Sequence, residues 1–218
     1  FEAAYRELAR AYDHIVAVVI SSKLSATFQS ASLAAAAVAD VIPVEVVDSR
    51  TGSMALGLQV MRAAELARSG MTGPEIASQI RSEIDNYQIV FFVDSLDYIQ
   101  RGGRIGRASA LIGGLLQLKP LLRVDEGQIV PYERTRTRKK ALAGLVEFAA
   151  GLPHIERLAA IHVSDPEEAA NLADQLAEAT SIPRDEIIIS QIGPVLGTHI
   201  GPGAMGIALD EGSNARRG

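Results

Sequence analysis

The sequence predicts a protein of two domains, an α/β domain over residues 1–87 and an α+β domain over residues 88–218. Helix and strand patterns alternate in the first part, which is typical of a parallel sheet covered by helices. From residue 120 onward, two apolar strands separated by Glu126-Gly127 indicate an antiparallel β-hairpin. We therefore expect a parallel sheet in the first domain and a mixed, largely antiparallel sheet with helices in the second.

The first domain is expected to open with a helix over residues 1–12, a strand over residues 14–20 and an alanine-rich helix over about residues 25–40. The apolar stretch VIPVEVVDS indicates a second strand, and a long helix that ends at Gly70 follows it. Thr72 and Pro74 are residue types that begin a helix. Two strands are few for a parallel layer with so many helices, so we expect this domain to be incomplete at its N-terminus.

The second domain is expected to begin with the strand YQIVFFVDS. After the hairpin, the pattern predicts a helix over residues 138–151, a strand over residues 157–163 and a helix that begins at Asp165-Pro166. The stretch EIIIS is expected to form a further strand. The apolar run over residues 110–122 is either ordinary core or the wall of a pocket for a greasy ligand.

The composition argues against several classes of function. Without cysteine, the chain has no disulfide framework, thiol nucleophile or cysteine-ligated zinc, and the cytoplasm is the simplest compartment to expect. The four histidines are scattered without metal-ligand spacing, so we expect no metal of its own. We expect no integral membrane association, because no apolar run is long enough. A net charge of −5 argues against general nucleic-acid binding.

The segment SSKLSATFQSA follows the first predicted strand and contains Ser21, Ser22, Ser25 and Thr27. Hydroxyl and backbone N–H groups at the carboxyl edge of a parallel sheet can bind an anion. The alternative is that Ser22 or Ser25 caps the following helix, and the two roles are compatible. A catalytic serine is disfavoured, because the segment lacks the Gly-x-Ser-x-Gly turn that exposes a nucleophile.

The segment IGPVLGTHIGPGAMG, residues 192–206, surrounds Thr198 and His199 with five glycines. Such a backbone lets a ligand approach closely, and a hydroxyl together with an imidazole can bind a carboxylate. Equally, the Gly-Pro turns could join a strand to a last helix, with His199 as an ordinary hydrogen-bonded residue. The sequence leaves both interpretations open.

Two arginine-containing segments are candidates for partner docking. DSLDYIQRGGRIG places Arg104 beside a Gly-Gly loop whose spacing is not that of a nucleotide-binding phosphate loop. RTRTRKK has five basic residues in seven, and if the strand continues, period-two spacing puts Arg134, Arg136 and Arg138 on one face. This run is a charged edge that discourages sheet pairing, a docking surface for an acidic partner or a phosphate or, in third place, a nucleic-acid contact.

Taken together, SSKLSATFQSA, DSLDYIQRGGRIGRASALIGGLLQLKPLL with RTRTRKKAL, and IGPVLGTHIGPGAMG resemble the DegV family of bacterial fatty-acid-binding proteins. The resemblance covers nearly the whole chain in the right order. It implies an α/β domain and an α+β domain with one long-chain fatty acid buried between them, and no cofactor besides that ligand. One residue departs from the family pattern, since Ala26 stands where glycine is common.

The resemblance also implies roles for single residues. Ser25 or its neighbour Ser22, and His199 with Thr198, would bind the carboxylate of the fatty acid. A threonine that the family supplies from a Thr-Ser-Gln-Pro segment has no counterpart in this sequence.

The implied partner is a separate ATP-dependent fatty acid kinase, which would contact Arg104 and Arg136 and make an acyl phosphate for phospholipid synthesis. The protein itself would be a non-catalytic carrier. The alternative function is an acyl hydrolase that uses Ser25 as nucleophile and His199 as base, although no third, orienting group is identifiable.

Overall fold

The computed structural model of the chain describes residues 1–111 and 118–212, which form two sheets. The first sheet has two strands, β1 (Ile15–Val19) and β2 (Val44–Asp48), which pair in parallel from Ile15 opposite Val44 to Val19 opposite Asp48. Four helices accompany it: α1 (Glu2–Leu8), α2 (Thr27–Ala37), α3 (Ser53–Arg68) and α4 (Gly73–Glu83). The carboxyl ends of β1 and β2 lie at one edge, so the loops that follow them are neighbours.

The local signals in this half act as the sequence predicts. Thr72 and Glu75 form a reciprocal capping box at the start of α4, with Pro74 in the first turn. The apolar face of α4 packs on β2 through Ile76, Ile80 and Val47. The predicted parallel pairing of the two strands is confirmed.

The second sheet has six strands in the order β5-β4-β3-β8-β6-β7. The strands are β3 (Tyr87–Phe92), β4 (Leu121–Asp125), β5 (Gln128–Glu133), β6 (Arg157–His162), β7 (Ile188–Gln191) and β8 (Met205–Asp210). Among the described residues of this sheet, β6 and β7 pair in parallel and the other neighbouring strands pair antiparallel, so the prediction of a mixed, largely antiparallel sheet is confirmed. The helices are α5 (Asp97–Arg101), α6 (Arg138–Ala150), α7 (Pro166–Ala179) and α8 (Pro194–Ile200).

The sequence did not predict β8, although this strand lies in the middle of the sheet between β3 and β6. All six of its residues are buried. A Cβ on Gly206 would lie 2.5 Å from the carbonyl oxygen of Val90 and 2.6 Å from Cβ of Phe91, so glycine is required for this close pairing. Gly206, one of the five glycines predicted to surround a ligand, therefore has a packing role.

Each face of the second sheet packs against different helices, as the period of two in a strand requires. Val90 and Phe92 of β3 join α6 and α7 in the largest core cluster. Ile89 and Phe91 point to the opposite face, where Ile89 shares a cluster with Ala55 of α3. That face meets the first half of the chain.

Helix α3 links the two halves, since it follows β2 in the chain yet packs against the second sheet. Near its C-terminal end, Glu65 accepts a hydrogen bond of 2.7 Å from Nη2 of Arg157 at the start of β6. The two-sheet organisation agrees with the expected fold class. The domain boundary at residues 87 and 88 stays a prediction.

Candidate functional site

The loop after β1 is attached to the second sheet by a buried serine. Ser21 is fully buried, and its Oγ donates a hydrogen bond of 2.8 Å to the carbonyl oxygen of Gly127 in the β4–β5 turn. The backbone N–H of Lys23 donates to the same Oγ at 3.2 Å. Gly127 has a φ of +80°, and a Cβ there would lie 2.5 Å from Ser21 Oγ. The predicted turn residue and the first serine therefore fit together across the two sheets.

The next serine lies beside a carboxylate of the chain itself. Both Oδ atoms of Asp48, at the end of β2, lie within hydrogen-bonding distance of the backbone N–H of Ser22, at 3.2 and 3.3 Å. Asp48 Oδ1 also accepts from the backbone N–H of Arg50 at 2.9 Å. The Ser22 side chain is exposed. The backbone donor that the sequence suggested for an anion at this point is thus occupied by Asp48.

Ser25 is half-buried at the entrance to α2. Its Oγ shares a hydrogen bond of 2.8 Å with Oγ1 of Thr27 and accepts from the Thr27 backbone N–H at 3.3 Å. It therefore orders the first turn of α2, whose N-cap position is Ala26. When the Thr27 hydroxyl donates to Ser25 Oγ, both lone pairs of that oxygen are occupied and its proton is free to bond a carboxylate.

Thr198 and His199 lie in the last turn of α8. Thr198 is exposed, and its Oγ1 donates 2.8 Å to the carbonyl oxygen of Pro194. The His199 ring is half-buried against Gly102, where an added Cβ would overlap Nδ1 and lie 3.3 Å from Cε1. Glycine at position 102 thus leaves the room that the imidazole occupies.

The turn after α8, residues 201–204, is fixed by contacts within the second half of the chain. Nη1 of Arg138 donates 2.8 Å to the carbonyl oxygen of Gly203, and Ser164 Oγ donates 2.6 Å to that of Pro202. Asp94 pairs with Lys119 and Arg138, and its carboxylate would overlap any Cβ added to Gly203.

Arg138 is itself held from several sides. It forms an ion pair with Glu168, and its guanidinium lies 5.0 Å from the centroid of the Phe92 ring. The hydrogen bonds to Glu168 raise the pKa of Arg138 above its ordinary value, although burial acts in the opposite direction. The Arg138 guanidinium therefore stays protonated at physiological pH.

Arg104 connects the loop that carries Ser25 to the end of α5, against which His199 packs. Its Nε donates 3.1 Å to the carbonyl oxygen of Leu24, the residue before Ser25. Its Nη1 donates 2.7 Å to the carbonyl oxygen of Gly102, against which His199 packs. Arg104 is exposed, as its predicted docking role requires. Its bond to Leu24 is a second role that the sequence did not suggest.

An apolar cavity lies between α3, the loop after β1, the face of the second sheet and α8. It contains about 480 Å³ of space between atoms, part of it open to solvent. The lining consists of six isoleucines, two leucines, a phenylalanine, a valine, a glycine and a serine. Among them are Leu24 and Ile200, the chain neighbours of Ser25 and His199. Of the apolar run at residues 110–122, positions 112–117 lie outside the described residues.

The basic run differs from its expected geometry. The strand β5 ends at Glu133, and Thr137 begins α6 by accepting from the Lys140 backbone N–H at 3.3 Å. Since the strand does not continue, the three arginines do not share a strand face. Arg134 and Arg136 are exposed, whereas Arg138 is half-buried in the ion-pair network.

Sequence reasoning missed the roles of Ser21, Asp94 and Arg138, which depend on distant partners.

The described ranges contain neither a metal-ligand cluster nor a membrane-spanning helix. Among residues 1–111 and 118–212, no three His, Cys, Asp or Glu side chains are grouped as a metal ion requires. Within the same ranges, none of the helices has both the length and the apolar character needed to cross a bilayer.

Comparison with known proteins points to one family. The model of the family described as "Uncharacterised protein, DegV family" matches residues 1–211. Protein DegV of Bacillus subtilis is 40% identical over 211 residues, which are 94% of this chain and 73% of that protein.

Solved structures of DegV family proteins have a fold similar to that of this chain. A DegV family protein from Thermus thermophilus, whose structure is described by its fatty acid binding, has a TM-score of 0.85 and 33% identity over 96% of this chain and 75% of that one. A fatty-acid-binding DegV family protein from Streptococcus agalactiae has a TM-score of 0.84 and 29% identity over 98% of this chain and 77% of that one.

Proposed function

The chain belongs to the DegV family, and from that premise we propose that it binds one long-chain fatty acid. The tail occupies the apolar cavity between the two sheets, and the carboxylate lies between Ser25 and His199. The observation that carries the proposal is that Leu24 and Ile200, each adjacent to one of these polar residues, line the same apolar cavity.

The tail supplies most of the affinity. Burying a chain of about 16 carbons at roughly 0.8 kcal/mol per methylene yields on the order of 10 kcal/mol before ordering costs are subtracted. A wall of aliphatic side chains gives this burial without requiring directional contacts. The tail therefore determines how tightly the ligand is held, and the headgroup determines how it is oriented.

The headgroup requires donors, because a carboxylate removed from water without hydrogen bonds is costly. Ser25 and His199 each have a polar atom available for this purpose. Thr198 and Ser22 are weaker candidates for this contact. The Thr198 hydroxyl donates its proton to the carbonyl oxygen of Pro194. The Ser22 side chain is exposed, and its backbone N–H already donates to the carboxylate of Asp48, which disfavours a second anion there.

The second part of the proposal is that the protein presents the bound carboxylate to an ATP-dependent fatty acid kinase, which forms an acyl phosphate for phospholipid synthesis. The exposed residues Arg104 and Arg136 support it as docking contacts, since fixed surface cations suit an acidic partner. The cytoplasm, where ATP is available, is the compartment that this role requires.

A carrier fits the site better than a hydrolase does. A serine nucleophile needs a base within hydrogen-bonding reach. The side-chain partner of Ser25 Oγ is the hydroxyl of Thr27, which is not a base at neutral pH. We therefore propose no catalytic residue and no cofactor in this chain.

The test is retention of palmitate by delipidated protein, measured by native mass spectrometry. We expect one equivalent to be retained by wild type and by Ser22→Ala, and much less by Ser25→Ala and by His199→Ala. Equal retention by all four proteins would contradict the headgroup assignment. Turnover of an acyl ester that Ser25→Ala abolishes would favour the hydrolase.

A further inference from the structure

The ends of α5 and α8 hold each other through two glycines and two rings. Gly201, which follows α8, has a φ of +87°, and a Cβ there would lie 2.7 Å from Cδ2 of Tyr98 in α5. Gly102, which follows α5, lies against the ring of His199 in α8, and a Cβ there would overlap Nδ1. Each helix is therefore followed by a glycine that leaves room for a ring from the other helix.

The glycine at position 102 is required by the imidazole and not by the backbone. Its φ of −72° and ψ of −8° are ordinary right-handed values that alanine also adopts. A Cβ would lie 3.2 Å from the carbonyl oxygen of Tyr98, which a shift of a few tenths of an ångström relieves. The overlap with Nδ1 of His199 is much larger, so a methyl group at this position displaces the ring.

Gly102 cannot withdraw from the ring, because hydrogen bonds fix its backbone on both sides. Its N–H donates 2.9 Å to the carbonyl oxygen of Tyr98. Its carbonyl oxygen accepts 2.7 Å from Nη1 of Arg104, whose Nε donates to the carbonyl oxygen of Leu24. The position of the imidazole is thus tied to the loop that carries Ser25.

The two nitrogens of the His199 ring have different surroundings. Nδ1 is the ring atom nearest to Gly102, with Cε1 at 3.3 Å from the position of an added Cβ, and Nε2 lies farther away on the other side of Cε1. The backbone N–H groups of residues 102–104 donate to carbonyl oxygens of α5, so none of the three is left for Nδ1. Because the ring is half-buried, it keeps an open side. Nε2 is therefore the nitrogen that a ligand can reach.

We propose that Gly102 is a positioning residue, which fixes the His199 ring so that Nε2–H, and not Nδ1, donates to the carboxylate of the bound fatty acid. The inference rests on the proposed fatty-acid binding and deepens it, because it names the atom that binds the headgroup and the residue that orients it. A carboxylate is an acceptor only, so Nε2 carries a hydrogen in the complex. Gly102 acts through His199 and does not itself contact the ligand.

The test is a double-mutant cycle on the dissociation constant of palmitate, measured by competition against a fluorescent fatty acid on delipidated protein. His199→Ala should weaken binding about tenfold, since it removes a hydrogen bond to a charged group. Gly102→Ala should cause a similar loss in wild type. In the His199→Ala background it should change the affinity less than twofold, because the methyl group then enters the space that the ring has left.

Gly197→Ala is the control, because it adds a methyl group to α8 two residues before His199. A Cβ at position 197 would lie 3.4 Å from Cγ1 of Val163, which is an ordinary contact, so this variant should bind palmitate as wild type does.

The second readout is the ¹⁵N spectrum of the imidazole nitrogens, in which the His199 signals are those absent from His199→Ala. Palmitate should shift the Nε2 signal more than the Nδ1 signal. The inference is overturned if Nδ1 shifts more, if Gly102→Ala binds palmitate as wild type does, or if it weakens binding equally with and without the ring. Failure of wild type to bind palmitate would overturn the proposed function itself, which is a distinguishable result.

Discussion

The two loops proposed to hold the carboxylate are fixed in different ways. The loop after β1, which carries Ser25, is held across the two sheets: Ser21 donates to Gly127, and Arg104 donates to Leu24. The turn after α8, next to His199, is held within the second half of the chain by Arg138 and Ser164. One half of the site depends on how the sheets are joined, whereas the other is preassembled.

This difference indicates how the site can be disturbed. A change that loosens the contact between the sheets should displace Ser25 and leave His199 in place. A change within the Arg138 network should displace the turn after α8 and leave the loop after β1 in place. Substitutions in each of the two regions test that separation.

The largest effect is expected for Gly203→Ala, which adds a methyl group within the turn after α8. The added methyl group overlaps the carboxylate of Asp94, so Asp94 must move away from Lys119 and Arg138. We expect a loss of about 3 kcal/mol in the free energy of unfolding, at the upper end for overpacking. Urea denaturation measures it, and palmitate retention should fall with it.

Gly193→Ala serves as the control for Gly203→Ala, since both substitutions add one methyl group near α8 and a Cβ at position 193 has no described atom within 4 Å. Because Gly193 is the N-cap residue of α8 and alanine is a poorer N-cap, it should lower the free energy of unfolding by about 0.5–1 kcal/mol, well below the loss in Gly203→Ala. Equal unfolding midpoints for the two variants would show that Gly203 is not packed as described.

A smaller effect is expected for Ser21→Ala, which removes the hydrogen bond from Ser21 to Gly127 between the two sheets. The variant leaves the buried carbonyl of Gly127 and the N–H of Lys23 without their partner, at a cost of about 1–3 kcal/mol. Ser22→Ala, one residue away and exposed, should cost little. Hydrogen exchange should show faster opening of the loop after β1 in Ser21→Ala alone, and identical exchange in both variants would contradict the separation.

The local features of this site could be predicted from the sequence, while its long-range contacts could not. The hydroxyl-rich loop, the Glu126-Gly127 turn and the capped helix α4 each follow from neighbouring residues. The contact of Ser21 with Gly127 spans 106 residues, and no local pattern encodes it. The same holds for the role of Arg138, whose partners Asp94, Glu168 and Gly203 come from three other segments.

The strand β8 illustrates a second limit. Its residues follow Gly-Pro-Gly, which indicates a turn, and five apolar or small residues before Asp210 are compatible with a strand or a buried helix. Its place in the centre of the sheet is decided by pairing with β3 and β6, which lie far away in the chain. In RTRTRKK, by contrast, Thr137 before a helical pattern was a local signal for the end of the extended segment.

A modest effect is expected for Arg104→Ala, compared with Arg136→Ala. Loss of the bond to Leu24 should weaken palmitate retention about two- to fivefold, the equivalent of roughly 0.5–1 kcal/mol for an exposed charged donor. Arg136 is exposed and distant in sequence from both loops, so Arg136→Ala should retain palmitate as wild type does. The palmitate bound to either variant should be converted to acyl phosphate more slowly by a bacterial fatty acid kinase. Equal retention of palmitate by the two variants would refute the second role of Arg104.

The smallest effect is expected at Asp210, at the end of β8 away from both loops. Burial raises the pKa of this carboxyl, with Glu156 adding to the effect and the Gly212 N–H and Arg157 opposing it. Its stabilising contribution is therefore complete below the unfolded pKa and is lost as pH rises through the folded pKa. Asp210→Asn should remove this pH dependence while Asn still accepts from Gly212.

Urea denaturation of wild type and Asp210→Asn across the acidic range measures this difference. The wild type should lose stability relative to the variant as pH rises through the folded pKa. Palmitate retention should be the same in both proteins, and a change in retention would mean that this end of the sheet is coupled to the site.

The most direct measurement of the central claim is the NMR spectrum of palmitate labelled with ¹³C at its carboxyl carbon, bound to the protein. We predict a single bound resonance for wild type, which Ser25→Ala and His199→Ala each shift and Ser22→Ala leaves in place. A bound resonance that neither Ser25→Ala nor His199→Ala moves would contradict a carboxylate held between the two loops.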